Sequence, residues 1–501
     1  MSQIIEFIPN SSIGGLGRIL GTSNSPTLTH LPFKDKDIDI QQLLKIILKR
    51  IAYKQNPDIN ANPSMTTVFG QPDFLPFPFL SLGIRRGVAV CRLIREFSSV
   101  TSAESFINAI SEVEKSRNKY FSLAELAEIC CISIQEAENI FEFKDKTIAD
   151  DKIILKPEYF VEKMKRIPVA TGFLVGRNEL LTSYHVFPLK DDNDSTTQLN
   201  ESLVSSEYTA EFNYEQDILG RKIESLEYGF EKLVTYDPDL DFALIRLKRE
   251  PKNSKYQDAG QAGDQFGWIP LIEDDSLIAP PLLSSLEQST DIGTKDDLKF
   301  LEEILEDVPK EIENIKELKD KENVTVKDVI ELLKKKAKVG DPVNIIQHPK
   351  GRYKEVVLSN NRVQKLLEDF ILYEADADFS SSGSPVMNQQ WQLVGLHCGA
   401  IPKNQSPSES VEIDQEIGVR TYKIVKKLIN QLESDIKKYS TLDNEKQKIT
   451  IELWFFVKEF VQLRESKDKI PQLPNLQNIA NISGDKIHIL QQLPYIPSSL
   501  Y

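Results

Sequence analysis

Short apolar segments bounded by turn residues dominate the chain after residue 169. They cover residues 170–176, 179–183, 242–247, 342–347 and 391–397. Strands of this length at turn-bounded intervals are typical of an all-β barrel or sandwich. A highly charged stretch of helical periodicity interrupts them, and we interpret residues 272–339 as a helical insertion. Its apolar face predicts a helical hairpin docked on the β domain, with a regulatory lid as the alternative.

The sequence before residue 161 has a different texture, and 501 residues are enough for about two or three domains. Residues 1–35 are rich in Gly, Ser, Asn and Pro, which favours a flexible N-terminal arm. Apolar residues recur at helical spacing in residues 38–53, 83–97 and 102–116. We therefore expect a mostly helical N-terminal domain at residues 36–160.

Residues 120–157 have the pattern of a winged helix. Two short helical segments flank a break, Ser133 and Glu136 can form a capping box, and two strands around Asp150 would form the wing. The second helix carries Glu136 and Glu138 without Lys or Arg, whereas a helix that reads DNA needs donors and positive charge. We expect a packing or partner-binding module, and a DNA-binding regulator is the alternative.

Helical periodicity returns after the last predicted strand, which covers residues 417–421. It continues over residues 422–439 and 446–463, and a tail rich in Pro and Gln follows. We assign residues 161–435 to the β domain and residues 436–501 to a C-terminal helix and an extended tail. The chain is thus predicted to be a multidomain α + β protein.

Charge and cysteine usage limit the partners and the compartment. A formal net charge of −15 argues against a protein that coats nucleic acid. The chain shows neither a basic and apolar leader nor an apolar run long enough to cross a membrane. The four cysteines, which include the adjacent pair Cys130 and Cys131, lack the spacing of a disulfide framework. We expect reduced thiols, a cytoplasmic location and no membrane contact.

A histidine, an aspartate and a serine stand in the order that one class of hydrolase requires. His185 follows a short apolar strand, at its exit into a polar loop, where we expect a rigid and exposed side chain. Asp241 directly precedes an apolar run, and Ser382 precedes Gly383 on a tight turn. A serine hydroxyl attacks an amide only when a base takes its proton and a third group orients that base. The order His, Asp, Ser differs from those of subtilisin and of the α/β-hydrolases.

Neighbouring residues compete for two of these roles. Ser380, Ser381 and Ser384 are alternative nucleophiles, but Ser382 alone has glycine directly after it. Asp237 and Asp239 are alternatives to Asp241, and their position around Pro238 is more typical of turn residues.

The segment from about 165 to 430 resembles the trypsin-like serine endopeptidases, specifically their cysteine-poor bacterial branch that includes the glutamyl endopeptidases. The motifs that carry the resemblance are Ala170-Thr-Gly-Phe-Leu-Val, Thr182-Ser-Tyr-His, Leu240-Asp-Phe-Ala-Leu-Ile, Asn344-Ile-Ile-Gln-His-Pro-Lys-Gly, Ser382-Gly-Ser-Pro-Val and Leu393-Val-Gly-Leu-His. The resemblance implies a chymotrypsin-like fold of two six-stranded β-barrels with the triad between them. It also implies that His348 marks a strand end and has a structural role.

The resemblance also assigns the oxyanion hole. The family uses the backbone N–H groups of the nucleophile and of the residue two before it, here Ser382 and Ser380. The earlier position is usually glycine, so a serine can displace the peptide plane, and loss of one donor typically costs about 10²–10³ in rate. Ser381 replaces the aspartate that pairs with a new amino terminus in trypsin-like zymogens. We therefore do not expect activation by that route.

The implied substrate-binding residues are Asp376, Ala377, His397 and Gly399. Asp376 holds the position at the floor of the trypsin pocket for the P1 side chain, which is the substrate side chain before the cleaved bond, and would favour Arg or Lys. His397 resembles the histidine of glutamyl endopeptidases, which recognise an acidic P1 side chain, but Ala377 replaces their usual threonine. Asp376 and His397 can also form a structural pair. We favour a basic P1 residue over an acidic one.

These features together predict a serine endopeptidase that cleaves protein or peptide substrates and is regulated by its accessory domain. Residues 36–160 would bind a protein activator or partner, and neither a cofactor nor a metal ion is expected. A catalytically silent protease-like binding module is the alternative from another class, because Ser380 replaces glycine.

Overall fold

The computed structural model describes residues 75, 77–117, 121–130, 132–140, 142–143, 153–154, 156–190, 198–278, 340–359, 361–378, 380–402 and 413–463. Two antiparallel β units lie within this part of the chain. A continuous core of buried apolar side chains extends from the first unit into the second, and the second unit has a further core of its own.

The first described elements are five helices and three strands. They are α1 (Pro78–Gly87), β1 (Val90–Glu96), α2 (Val100–Arg117), α3 (Leu123–Ile129), α4 (Ile134–Ile140), β2 (Glu142–Phe143), β3 (Ile153–Ile154) and α5 (Pro157–Lys163). The helix predicted over residues 102–116 is confirmed by α2. The helix predicted over residues 83–97 is wrong beyond Gly87, because Val90–Glu96 is a strand. This strand is buried on both faces, so its apolar residues do not alternate with polar ones.

The first β unit is a closed six-stranded barrel with the strand order β1-β4-β5-β8-β7-β6. Its further elements are β4 (Arg166–Leu174), β5 (Glu179–Thr182), α6 (Glu201–Glu207), β6 (Tyr208–Phe212), β7 (Leu226–Asp237), β8 (Phe242–Leu247) and α7 (Ala262–Phe266). Leu93 of β1 lies opposite Ala170 of β4 and Ala210 of β6. The barrel therefore begins before the predicted boundary at residue 161, and the helices from α2 to α5 are inserted between its strands β1 and β4.

The second β unit is a seven-stranded antiparallel sheet in the order β11-β10-β14-β15-β16-β13-β12. Its strands are β10 (Asn344–Gln347), β11 (Glu355–Val357), β12 (Val363–Leu366), β13 (Phe370–Tyr373), β14 (Pro385–Met387), β15 (Leu393–Pro402) and β16 (Ile413–Arg420), and β9 (Leu271–Ile272) precedes them outside this sheet. The structure differs here from the expected second six-stranded barrel. The edge strand β11 has only three residues and pairs with β10. The other edge strand, β12, approaches the residues before β10 through a single bridge between Pro342 and Arg362, so the sheet is joined end to end by a bridge and not by a full ladder of described residues.

Two C-terminal helices confirm the helical periodicity of that region. They are α8 (Thr421–Lys437) and α9 (Asn444–Phe460), and the short strand β17 (Val461–Gln462) then pairs in parallel with β9. Helix α8 packs against β15 and β16 of the second unit and also contacts β7 of the first, and α9 contacts the first barrel. Arg246 of β8 forms an ion pair with Glu452 of α9 at 2.9 Å. Helix α8 continues past residue 435, so the predicted boundary at that position lies inside a helix.

The helices α3 and α4 and the paired strands β2 and β3 occupy the region for which a winged helix was predicted. The capping box is confirmed: the Ser133 N–H donates to Glu136 Oε2 at 2.8 Å, and the Glu136 N–H donates to Ser133 Oγ at 3.2 Å. The first of the two paired strands begins at Glu142, earlier than the strands that were predicted for a wing. Asp150 and Asp151 lie outside the described residues.

Several predicted segments fall outside the part of the chain that the structure describes. They are the arm at residues 1–35, the helix at residues 38–53, residues 279–339 of the insertion, and the tail from residue 464 onward. Among the described helices, none combines the length and the apolar character that a membrane span requires.

Candidate active site

His185 lies in a short 3₁₀ turn, Tyr184–Val186, directly after β5. Its Nδ1 lies 2.7 Å from Asp241 Oδ2, and its backbone N–H donates to Asp241 Oδ1 at 2.9 Å. Both side chains are fully buried. The expectation of an exposed histidine is therefore wrong, because the carboxylate of Asp241 holds His185 against the barrel through one contact with the imidazole and one with the backbone.

Asp241 ends the turn between β7 and β8 with a left-handed backbone, φ 46°, which aspartate tolerates better than most residues. Asp237 shapes this turn, since its Oδ1 accepts from the N–H groups of Asp239 and Leu240 at 2.9 and 2.8 Å. The Tyr184 N–H donates to the Asp241 carbonyl at 3.2 Å. Asp237 is a turn residue as expected, and Asp241 is the carboxylate that contacts His185.

Ser382 lies in a tight turn at residues 380–384, the nucleophile turn. Gly383 has φ 85°, and a Cβ atom there would lie 2.1 Å from the Thr171 carbonyl oxygen. The Gly383 N–H donates to the His397 carbonyl at 2.7 Å, and the Thr171 N–H donates to the Ser382 carbonyl at 2.9 Å. The turn is thus clamped between β4 of the first unit and β15 of the second, and only glycine fits at position 383.

The other serines of the nucleophile turn are engaged in structural hydrogen bonds. Ser381 Oγ accepts from the Asp378 N–H at 3.1 Å, and Ser384 Oγ donates to the Ser381 carbonyl at 2.6 Å. Ser380 is 1% exposed, Ser381 and Ser384 are fully buried, and Ser382 is 7% exposed. Ser382 is therefore the most exposed of these four serines.

The second ring nitrogen of His185 is also available. Nε2 is buried and has no hydrogen-bond partner among the described residues, so it is not bonded to the Ser382 hydroxyl. When Nδ1–H donates to Asp241, Nε2 carries a lone pair. A nitrogen in this state can accept a proton.

Ser380, at the predicted oxyanion position, has a left-handed backbone with φ 66°. Its carbonyl accepts a hydrogen bond from Thr171 Oγ1 at 2.9 Å, which fixes this end of the turn. This conformation is favoured by glycine and is strained for serine. The backbone therefore takes a glycine-like shape although the residue is not glycine.

The four predicted substrate-binding residues lie on two elements. Asp376 and Ala377 line a cleft of about 390 Å³ together with Asp378 and β11. His397 and Gly399 lie on β15, where Gly399 is opposite Ile417 of β16. His397 does not pair with Asp376: its Nδ1 lies 2.7 Å from the Tyr373 hydroxyl, and its Nε2 lies 3.9 Å from Glu416 Oε2.

Burial, and then the nearby His185, lower the pKa of His397 to about 3. His397 is therefore neutral at physiological pH and carries no positive charge for an acidic substrate side chain. His348 is also buried, its N–H donates to Thr171 Oγ1 at 3.0 Å, and its Nδ1 lies 3.0 Å from the Arg352 carbonyl. It stands directly after β10, which agrees with a structural role.

Two residues of the site were not predicted from the sequence. Thr171 holds the nucleophile turn, and its signal was a polar residue within an apolar strand. Glu416 lies beside His397, and its only signal was an acidic residue directly before the apolar run of β16. Cross-strand pairing of β15 and β16 brings Glu416 close to the site.

Comparison with known proteins supports the class of protein that the sequence motifs resemble. Residues 319–396, which include the nucleophile turn but neither His185 nor Asp241, match the family model of the trypsin-like peptidase domain. An uncharacterized protein, y4fB of Sinorhizobium fredii (strain NBRC 101917 / NGR234), is 34% identical over 74 residues, which are 13% of this chain and 11% of that protein. The match therefore spans only a small part of that relative's length.

A solved structure, the HtrA-type protease AlgW with decapeptide, aligns with a TM-score of 0.28 and 13% sequence identity. The alignment covers 68% of this chain and 64% of that chain, so the chain spans less than two thirds of the solved protein. The match to the family model, together with the β-rich fold, supports a trypsin-like serine protease.

Proposed function

We propose that this chain is a serine endopeptidase that cleaves peptide bonds through an acyl-enzyme, with His185, Asp241 and Ser382 as its triad. The buried pair of His185 and Asp241, in which Nδ1 of the imidazole lies 2.7 Å from the carboxylate, carries this proposal. Nε2 takes the proton of the Ser382 hydroxyl while Oγ attacks the substrate carbonyl carbon. The imidazolium that forms is stabilised by Asp241 and then gives its proton to the leaving amine. Water attacks the acyl-enzyme in the same way and releases Ser382.

The oxyanion that forms during attack needs hydrogen-bond donors. The N–H group of Ser382 donates to no acceptor among the described residues and is available for this purpose. We assign the second donor to the Ser380 N–H. The glycine-like φ of Ser380 supports this assignment.

Reaction with a fluorophosphonate probe tests the proposal. We expect the wild-type protein to be labelled and Ser382→Ala to remain unlabelled. Ser384→Ala is the matched control and should keep its label, because its hydroxyl is already donated to the Ser381 carbonyl. Labelling of the Ser382→Ala protein at the wild-type rate would show that another residue is the nucleophile.

A binding module with a protease fold is the second candidate. It is favoured by one observation: Nε2 of His185 makes no hydrogen bond to the described residues, as in a site that is not assembled for attack. This candidate predicts that a stable wild-type protein stays unlabelled, with and without peptide substrates.

Replacement of Gly383 with alanine tests the clamp on the nucleophile turn. A methyl group would overlap the Thr171 carbonyl, so the turn must shift and Ser382 moves away from His185. A displacement of about 1 Å can cost about 10²-fold in rate, and we expect a loss of this size in the second-order rate of labelling. Gly220→Ala is the control, since Gly220 also has a positive φ but has open space around it. If both substitutions lowered the labelling rate equally, backbone strain alone would account for the loss.

We also propose a basic P1 preference, a cytoplasmic location and regulation through the accessory region, with residues 36–160 as the surface for a protein activator or partner. Asp376 and Asp378 in the cleft support the P1 preference. Cys91 and Cys398 are buried and form no disulfide bond with the described residues, in keeping with a reducing compartment. The insertion of α2 to α5 between two barrel strands supports the regulatory role. We also propose that the chain is related to the glutamyl endopeptidase branch, because it shares the motifs of that branch. We do not expect it to share that branch's preference for an acidic P1 side chain.

A further inference from the structure

Thr171, a fully buried residue of β4, is a centre of hydrogen bonds beside the nucleophile turn. Its hydroxyl contacts two backbone groups outside its own barrel: it accepts from the His348 N–H at 3.0 Å and donates to the Ser380 carbonyl at 2.9 Å. Its N–H donates to the Ser382 carbonyl at 2.9 Å, and its carbonyl accepts from Thr182 Oγ1 at 2.8 Å. Every hydrogen-bonding group of Thr171 is therefore used.

The two partners of the Thr171 hydroxyl fix the direction of its hydrogen. A backbone N–H can only donate, so His348 occupies a lone pair of Oγ1, and a carbonyl can only accept, so the hydroxyl hydrogen points to Ser380. The imidazole of His348 is also held, since its Nδ1 lies 3.0 Å from the Arg352 carbonyl. In a buried site, two hydrogen bonds that share one hydroxyl strengthen each other. The bond to Ser380 is thus aligned before a substrate binds.

Ser380 depends on such a bond because of its backbone conformation. Its φ of 66° is strained for serine, whereas glycine adopts this conformation without a steric penalty. The peptide group that follows it is held at both ends: its carbonyl accepts from Thr171, and its N–H, which belongs to Ser381, donates to the Asp378 carbonyl at 3.0 Å. The Ser380 hydroxyl also donates to the Pro168 carbonyl of β4 at 3.5 Å. Strand β4 therefore holds Ser380 by its main chain and by its side chain.

We propose that Thr171 is a positioning residue, whose hydroxyl holds Ser380 in the glycine-like conformation that the oxyanion hole requires. This inference rests on the proposed function, in which the Ser380 N–H is the second donor to the oxyanion. The angle φ describes rotation about the bond between the nitrogen and the Cα atom. When the carbonyl side of Ser380 is fixed, a change in φ turns its N–H away from the substrate. Without the bond from Thr171, serine relaxes toward a negative φ, and the hole loses one of its two donors.

A side chain on another strand thus takes the place of the missing glycine. If position 380 were glycine, a positive φ would be free of strain, and the hydroxyl at position 171 would not be needed. The two positions therefore depend on each other: serine at 380 is compatible with catalysis only when position 171 carries a hydroxyl. A double-mutant cycle measures this dependence directly.

The test measures the loss caused by Thr171→Val in two backgrounds, one with Ser380 and one with Ser380→Gly. Valine has nearly the shape of threonine but lacks the hydroxyl. With Ser380 we expect kcat for peptide cleavage to fall about 10- to 100-fold and KM to change less than about twofold, because the oxyanion forms only after the substrate has bound. With Ser380→Gly the same substitution should lower kcat less than about threefold. Thr171→Ser, which restores the hydroxyl, should recover most of the loss.

Thr209→Val is the matched control. Thr209 is a buried threonine of β6 in the same barrel, and its hydroxyl accepts from Lys252 Nζ at 3.1 Å. We expect this variant to keep kcat within about twofold of wild type. Thermal unfolding midpoints show whether each variant is folded in the assay. If Thr171→Val does not fold, Thr171→Cys takes its place in the cycle, because a thiol is only a weak donor.

A peptide aldehyde gives a readout that a merely structural role would not change. Ser382 Oγ adds to the aldehyde carbon, the serine proton passes to His185 Nε2, and the carbonyl oxygen becomes an oxyanion in the hole. We expect Thr171→Val to weaken inhibition by the aldehyde about 10- to 100-fold, and inhibition by the corresponding peptide alcohol, which forms no oxyanion, less than about twofold.

The outcomes separate this inference from the proposed function. If the wild type is labelled by fluorophosphonate but Thr171→Val causes an equal loss in both backgrounds, or weakens both inhibitors equally, the role of Thr171 is overturned and the enzyme stands. If only the Ser380→Gly protein is labelled, Thr171 does not hold Ser380 in an active shape, which overturns this inference and keeps the triad. Failure of both proteins to be labelled would overturn the proposed function itself.

Discussion

Asp241→Asn should lower the rate of fluorophosphonate labelling and of peptide cleavage about 10⁴-fold while the protein remains folded. The aspartate accepts two hydrogen bonds from His185, one from its backbone N–H and one from Nδ1. The side-chain oxygen of an asparagine can accept the hydrogen bond from the backbone N–H of His185, but its amide group then presents an N–H donor to Nδ1. The imidazole must place its proton on Nε2, and a protonated Nε2 cannot take the proton of Ser382. A serine protease with the same substitution shows a loss of this order.

Asp237→Asn is the control for this prediction. Asp237 stands four residues earlier in the same turn, and its Oδ1 accepts from two backbone N–H groups that an amide oxygen can also serve. Its contact with Lys427 at 2.5 Å becomes a hydrogen bond between an ammonium and a neutral amide. We expect its labelling rate to stay within about threefold of wild type. A loss of less than tenfold in Asp241→Asn would show that the orientation of His185 does not depend on the charge of Asp241.

The triad candidates could be found in the sequence because each has a local signal. Ser382 directly precedes Gly383, at a position of the turn where only glycine fits, and Asp241 directly precedes a buried strand. The burial of His185 could not be predicted from the sequence, because it depends on the loop between β7 and β8 folding back onto β5. Glu416 could not be assigned either, since its proximity to His397 arises from the pairing of β15 with β16. Contacts that cross strands leave no periodic trace in either strand.

The division of the chain was harder to predict than its strands. Residues 90–96 read as helical because Leu93, Ile94 and the arginines on either side fit a helical period as well as a buried strand. Their true role depends on the pairing of β1 with β4, which follows more than sixty residues later in the chain. A sequence pattern gives no information about such a distant partner. For the same reason the helices α2 to α5 could not be recognised as an insertion within the barrel.

A buried ion pair lies next to the point where this insertion leaves the barrel. Arg95 of β1 and Glu207 of α6 are both fully buried, and Arg95 Nε lies 3.0 Å from Glu207 Oε2. Ser98, on the way to α2, donates to the other carboxylate oxygen at 2.8 Å. The next residue, Tyr208, donates to the Val186 carbonyl at 3.2 Å, one residue after His185. Arg95 Nη2 also donates to the carbonyl of Ser102 in α2 at 3.5 Å, so a continuous set of contacts runs from this helix to the residue after the proposed general base.

Glu207→Ala should destabilise the protein by about 3–5 kcal/mol, because it leaves the guanidinium of Arg95 buried without its carboxylate. The midpoint of chemical denaturation, followed by tryptophan fluorescence, measures the effect. Replacing both partners, Arg95→Met with Glu207→Leu, removes the charges together and should recover most of the loss. Glu224→Ala, in an exposed pair with Lys255, is the control and should change the midpoint little. If the double substitution is as destabilising as Glu207→Ala, packing around the two side chains, rather than an uncompensated charge, accounts for the loss.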